Sequence, residues 1–228
     1  HHPISHNTRS IIIRSGFNHP SHLLAPIMTR DGASATERLN NVDGRYDADE
    51  LAKEARLDTT DGPDSYEEEI KEALKQLETD KGKYLSPEGL ETYSPKFLNI
   101  LENITDDDHR GLHLIYSQFR TLEGIGVLKL VLEANGFARF KIKKTGEQWE
   151  LDISAEDKGK PTFALYTGTE TSEEKEIIRN VFNGAWKYIP TALAEQLEVI
   201  ASNNLYGEII KVLMITASGA EGISLKNV

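Results

Sequence analysis

The residues best suited to chemistry lie near the end of the chain, where an apolar run, Val212 to Ile215, gives way to the small-residue loop Thr216 to Gly222. Thr216 and Ser218 bring hydroxyls, Gly219 and Gly222 let backbone N–H groups approach a ligand closely, and Glu221 brings the loop's carboxylate. Such a set suits an anion, because hydroxyl and backbone N–H groups donate to phosphate oxygens without any proton transfer. Four apolar residues are too few for a helix, so the run reads as a buried strand that delivers the loop. In α/β sheets, ligands meet the loops at the carboxyl ends of parallel strands, so phosphate, sugar or nucleotide is the expected ligand class.

Other clusters carry less. Asp106, Asp107, Asp108 and His109 imitate a magnesium-binding box but follow an amphipathic helix, which makes a solvated linker the better reading. His1, His2, His6, His19 and His22 have no carboxylate at ligand spacing, so no metal site is expected there. Gly124 and Gly126 would need a third glycine where Lys129 stands, so the dinucleotide fingerprint fails. The chain has no cysteine, which excludes disulfides, thiolate catalysis and cysteine-based zinc sites. No Ser/His/Asp nucleophile system and no G-x-x-x-x-G-K-[ST] phosphate cradle occurs.

Hydrophobic periodicity locates the elements that must position the loop. A helix is expected over Tyr66 to Leu77, with Ile70, Leu74 and Leu77 on one face. A second starts at Pro95 behind a Ser94 cap and buries Phe97, Leu98, Leu101 and Ile104. A strand from Leu112 to Tyr116 precedes a helix from about Leu122 to Asn135, stopped by Gly136. Phe137 to Ile153 alternates like a hairpin turning at Thr145 and Gly146. Its lysines, Lys141, Lys143 and Lys144, read equally as phosphate contacts or as the polar face of an edge strand. Phe163 to Tyr166 reads as a strand ending at Thr167-Gly168-Thr169, followed by a helix with a capping box from Thr171 to Glu174. Between Gly184 and Gly207 an extra helical segment places Leu193, Leu197 and Ile200 on one side, and Trp186 is expected to pack inward.

The formal net charge is −11, and residues 43 to 110, with 20 acidic and 9 basic side chains, account for all of it. Gly111 to Val228 is nearly balanced, at 15 acidic and 13 basic. Indiscriminate nucleic-acid binding is therefore disfavoured, while a local strip of phosphate donors is not. No window has the roughly 18 uninterrupted apolar residues of a membrane span.

Three ordered stretches resemble motifs of superfamily-two helicases and translocases. T-A-S-G-A-E-G-I-S-L, from Thr216, looks like motif V of the second RecA-like lobe, and L-H-L-I-Y-S-Q-F-R, Leu112 to Arg120, looks like motif IV. Between them, Ala164 to Asn183 resembles the strand, Thr-Gly loop and amphipathic helix of Swi/Snf-type members. Within the superfamily the likeness is to helicase-like ATPases of large DNA viruses, of the poxvirus early transcription factor and nucleoside triphosphatase type. It rests on L-E-G-I-G at Leu122 to Gly126, Y-G-E-I-I-K at Tyr206 to Lys211, and Y-S-P-K-F-L-N-I-L-E-N-I at Tyr93 to Ile104.

The resemblance implies an α/β fold with a RecA-like parallel sheet flanked by helices, cut short after motif V and preceded by a mainly helical acidic section. Residues 1–65 would be a flexible or irregular interlobe segment, 66–110 an acidic connector, and 111–228 the second lobe. Ser117, Gln118 and Arg120, with Gly168, Thr169, Thr216 and Ser218, would follow a nucleic-acid backbone. Gly219, Glu221 and Gly222 would face the cleft that holds ATP with Mg2+, bound mainly by a first lobe. Ser224 stands where many relatives carry asparagine or aspartate, so no specific contact is carried over to it. Implied partners are nucleic acid, DNA in preference to RNA, the first RecA-like lobe and a transcription-machinery protein, in an intracellular or virion setting. The alternative is a non-catalytic docking module built on the same lobe.

Overall fold

The computed structural model describes residues 9–13, 73–117, 124–167, 169–216 and 223–226. Two compact units divide the chain: 1–12, 102–116 and 136–228 in one, 13–101 and 117–135 in the other.

The first unit is built on a five-stranded sheet. Its strands are β1 (Arg9–Ile13), β2 (His113–Ser117), β3 (Ala138–Arg139), β6 (Thr162–Tyr166) and β7 (Val212–Ile215), in the spatial order β1-β2-β7-β6-β3. The pairs β2–β7, β7–β6 and β6–β3 are all parallel. All four side chains of β7 are buried, as expected of a central strand covered on both faces. Alternate positions sort to the two faces. Leu114, Ala164, Leu213 and Ile215 join one core with Ile177, Ile178, Val181 and Phe182 of α5 (Ser172–Phe182) and with Leu193 and Leu197 of α6 (Thr191–Glu198). The result is an α/β parallel sheet flanked by helices, of the RecA-like kind the motifs imply.

Local chemistry fixes the element ends. Thr171 accepts from the Glu174 N–H while the Glu174 side chain accepts from the Thr171 N–H, so the capping box forms as the sequence predicts. The predicted hairpin forms only in part. β4 (Ile142–Thr145) and β5 (Gln148–Leu151) pair antiparallel, whereas Ala138 and Arg139 leave the ribbon to extend the main sheet beside β6. Phe140, buried at the junction, donates its N–H to Phe163 O and holds the chain on the sheet before the ribbon begins.

The 184–211 stretch is pinned by Asn204, 1% exposed. Its amide donates to Phe182 O (3.1 Å) and Ile210 O (3.0 Å), and its oxygen accepts from Ile209 N (2.8 Å) and Ile210 N (2.9 Å). Gly207 lies at φ +79°, and a Cβ there would stand 2.7 Å from Lys211 Cα. Trp186 packs against the core and donates to Ser202 O at 3.0 Å, in line with the packing expectation. Ile200 corrects the sequence reading. It falls beyond the end of α6 and is 55% exposed, because the helix stops at Glu198 and its apolar face ends with Leu197.

The described residues of the second unit are mainly helical. A helical stretch over 73–79 buries Ala73 and Leu77, followed by α1 (Lys81–Tyr84), α2 (Pro87–Tyr93) and the start of α3 (Pro95–Thr105). Ser86 caps α2 by accepting from Gly89 N, and a Cβ on Gly89 would meet Lys83 O at 2.3 Å, so only glycine lets the two helices touch. The end of α4 (Ile125–Ala134) is tied to this corner, since the Asn135 amide donates to both Leu85 O and Val131 O at 2.8 Å. Gly136, at φ +88°, ends that helix as predicted. Among the described residues no helix is long and apolar enough to cross a membrane.

Candidate nucleic-acid interface

The carboxyl edge of the sheet is set by register. Tyr116 of β2 stands opposite Ile215 of β7, and Ile215 opposite Tyr166 of β6. Just past the paired positions, Thr216 follows β7 and Thr167 follows β6, each with a hydroxyl, and Ser117 is the last residue of β2. All three are buried, at 3%, 2% and 0% exposure. Thr216 keeps its strand pairing, donating its N–H to Tyr166 O at 3.4 Å. The motif residues separated in sequence by up to a hundred positions therefore end on neighbouring strands, with the last strand in sequence between the other two.

Beyond β6 the loop is closed by a residue the sequence reading did not single out. The Glu170 carboxylate accepts from Thr167 N (2.8 Å), from Thr167 Oγ1 (3.2 Å) and from Thr169 Oγ1 (3.1 Å). The two threonine hydroxyls also lie 3.0 Å apart. Thr169 is the exposed hydroxyl of the set.

Helix α5, net negative through Glu173, Glu174 and Glu176, still brings a cation to the same strand end. Lys175 Nζ lies 5.7 Å from the centre of the Tyr166 ring. Burial raises the Tyr166 phenol above its ordinary range, Arg179 opposes this, and Glu176 and Glu170 reinforce it. Arg179 is 3.5 Å from Glu176, and its buried Nε has no hydrogen-bond partner among the described residues. Tyr166, Lys175 and Arg179 escaped the sequence reading because a helix face and a strand end meet only in three dimensions.

Asn183, the residue that caps the C-terminal end of α5, holds the chain at Ser224 and Lys226. It donates to Ser224 O at 3.0 Å and accepts from Lys226 N at 2.7 Å. Gln118, Arg120, Gly168, Ser218, Gly219, Glu221 and Gly222 lie outside the described residues, so the nucleotide-facing part of the motif V loop remains an expectation of the resemblance. Among the described residues, no three His, Asp or Glu side chains are grouped to hold a metal ion.

The hairpin lysines are largely engaged within the chain. Lys144 is 3.0 Å from Glu173, which also accepts from Trp149 Nε1 at 2.7 Å, and Lys143 is 3.2 Å from Asp152. The Trp149 hydrogen bond, then Lys144, holds the Glu173 carboxyl below its usual range. This favours the structural reading of these lysines over a row of phosphate contacts.

Comparison with known proteins agrees with the motifs. The chain is 29% identical over 182 residues to the termination factor NPH-I homolog of an African swine fever virus isolate from Kenya, an alignment covering 70% of this chain and 22% of the relative. It is 28% identical over 136 residues to a putative ATP-dependent RNA helicase of Acanthamoeba polyphaga mimivirus, covering 60% of this chain and 18% of that protein. The chain thus spans about a fifth of the length of the curated relatives it matches. No family model matches, and no solved structure matches. With a parallel α/β sheet, motif-bearing strand ends in register and these relatives, the chain is similar to the helicase-like proteins of large DNA viruses.

Proposed function

We propose that residues 111–228 act as the second RecA-like lobe of a superfamily-two helicase or translocase driven by ATP with Mg2+, with 66–110 as an acidic connector and 1–65 between lobes. In this reading Ser117, Gln118, Arg120, Gly168, Thr169, Thr216 and Ser218 follow a nucleic-acid backbone, DNA in preference to RNA. Gly219, Glu221 and Gly222 face the nucleotide cleft shared with the first lobe. The observation that carries it is the parallel register of β2, β7 and β6, which leaves Thr216 and Thr167 just past adjacent carboxyl ends of the sheet. ATP-gated closure of two lobes would then shift these contacts along the backbone with each cycle.

A second reading, a docking module for a transcription protein, draws support from a different observation. The exposed large apolar residues among the described ones, Tyr188, Val199, Ile200, Leu205 and Tyr206, all fall within the 184–207 insertion.

One set of measurements separates the two. Anisotropy titration of the chain with a labelled 12-nucleotide single strand is expected to show weak, sequence-independent binding that falls with salt. The log–log slope should be roughly −2, as for about three neutralised phosphates. Thr216→Ala should weaken it by about threefold or more, the scale of one lost hydrogen bond. Salt-insensitive binding, or none at low salt, would sink the nucleic-acid reading. In the complete protein, Glu221→Gln should lower ATP turnover with little change in nucleotide-free binding. Loss of a protein partner with turnover intact would establish the docking module.

A further inference from the structure

The donors that the Glu170 carboxylate takes would equally suit a phosphate oxygen. The carboxylate takes one backbone N–H and two hydroxyls, from Thr167 and Thr169, all as donors. Lys175 lies over the adjacent Tyr166 ring, and Arg179 acts electrostatically on the same phenol as Glu170 does. A carboxylate and a phosphodiester make the same demand on such donors, since both present anionic oxygens that only accept. Glu170 is not needed to start α5, whose capping box is complete with Thr171 and Glu174. Nor does it pair with a cation among the described salt bridges, which leaves its charge directed at the loop's donors.

We propose that Glu170 is an internal competitor for the backbone phosphate of a bound single strand: its carboxylate satisfies Thr167 and Thr169 in the free chain and swings out when nucleic acid takes those donors. The proposal rests on the nucleic-acid reading above and adds the regulation of that surface. Binding is weakened by the exchange of one anion for another, and the donors are never left unsatisfied. Without Glu170 the buried Thr167 N–H would need water in the free state. With it, a strand that fits poorly is rejected because the carboxylate returns.

The test compares Glu170→Gln with Glu195→Gln, an exposed residue of α6, so that both variants lose one negative charge. Affinity for the 12-nucleotide single strand is read across a salt series, and the Thr167 amide resonance is followed on titration. Glu170→Gln is expected to tighten binding by about five- to tenfold more than Glu195→Gln does, the scale of a charge-assisted hydrogen bond relinquished. In the parent chain the Thr167 amide should shift on binding. Equal gains in the two variants would reduce Glu170 to general electrostatics, and weaker binding by Glu170→Gln would make it a loop closure; either overturns the proposal. If thermal melts show Glu170→Gln misfolded, Glu170→Asp serves instead, keeping the charge but retracting the carboxylate by one methylene. It too should bind tighter, and unchanged or weaker affinity counts against the proposal. Should the parent chain and every variant fail to bind at low salt, the nucleic-acid reading itself falls, a result distinct from binding that ignores Glu170.

Discussion

His113 shows how much a single side chain at a strand start can matter. It is 2% exposed, and neither ring nitrogen has a hydrogen-bond partner among the described residues. Burial, then the positive charge of Lys211, lowers its pKa from 6.5 to about 4, and the His109 backbone, placed too poorly for a hydrogen bond of normal geometry, opposes this only in part. The ring is therefore neutral in the folded protein at pH 7. Below pH 6.5 the unfolded chain takes up a proton that the folded chain refuses until about pH 4, so stability is full above pH 6.5 and is lost as pH falls through that window. The loss should be about 2 kcal/mol by pH 4, part of the shift being screened by solvent. Thermal melts from pH 7.5 to 4 should show it, and His113→Leu should flatten the profile over that range. An unchanged slope in His113→Leu would assign the acid sensitivity elsewhere. The sequence marked none of this, because a histidine opening an apolar strand looks the same whether its ring faces water or core.

At the level of elements, the 184–207 insertion is held by one polar residue as well as by its buried apolar ones, Leu193 and Leu197. Asn204 bridges the end of α5 to the approach to β7, satisfying the Phe182 and Ile210 carbonyls and the Ile209 and Ile210 N–H groups. Asn204→Ala would strand several of these buried groups and should cost about 3 kcal/mol or more, measured by urea unfolding. Asn204→Asp, which can accept but not donate, should recover only part. A loss under 1 kcal/mol would mean that water replaces the side chain. The periodic helix Ser172–Phe182 and the short apolar run Val212–Ile215 were legible from the sequence because their signals are local. The fate of Ala138 and Arg139 was not, since alternation reports a strand but not its partner. Asn204 was equally hidden, an ordinary loop residue until Phe182 and Ile210 are brought beside it.

For the whole molecule, the motifs gave the class of fold and the kind of relative, while the strand order lay beyond them. Nothing local states that β7, last in sequence, sits between β2 and β6. Of the site, the hydroxyls at strand ends were legible as small polar residues after apolar runs. Glu170, Lys175, Arg179 and Asn183 were not, because each acts on a loop it does not belong to by pattern. The sequence has no G-x-x-x-x-G-K-[ST], so this chain by itself should release no phosphate from ATP above background, with or without single strands. Phosphate-release assays settle this; turnover that persists in a Thr216→Ala, Glu221→Ala double variant would overturn the two-lobe reading. The 11 residues of α5 form a strut about 16 Å long. One end is riveted by its capping box beside the Thr167–Glu170 loop, and the other is latched through Asn183 to Ser224 and Lys226. If the proposed function holds, a helix pinned at both ends would carry a tilt at the Thr167–Glu170 end to the segment that holds Ser224 and Lys226.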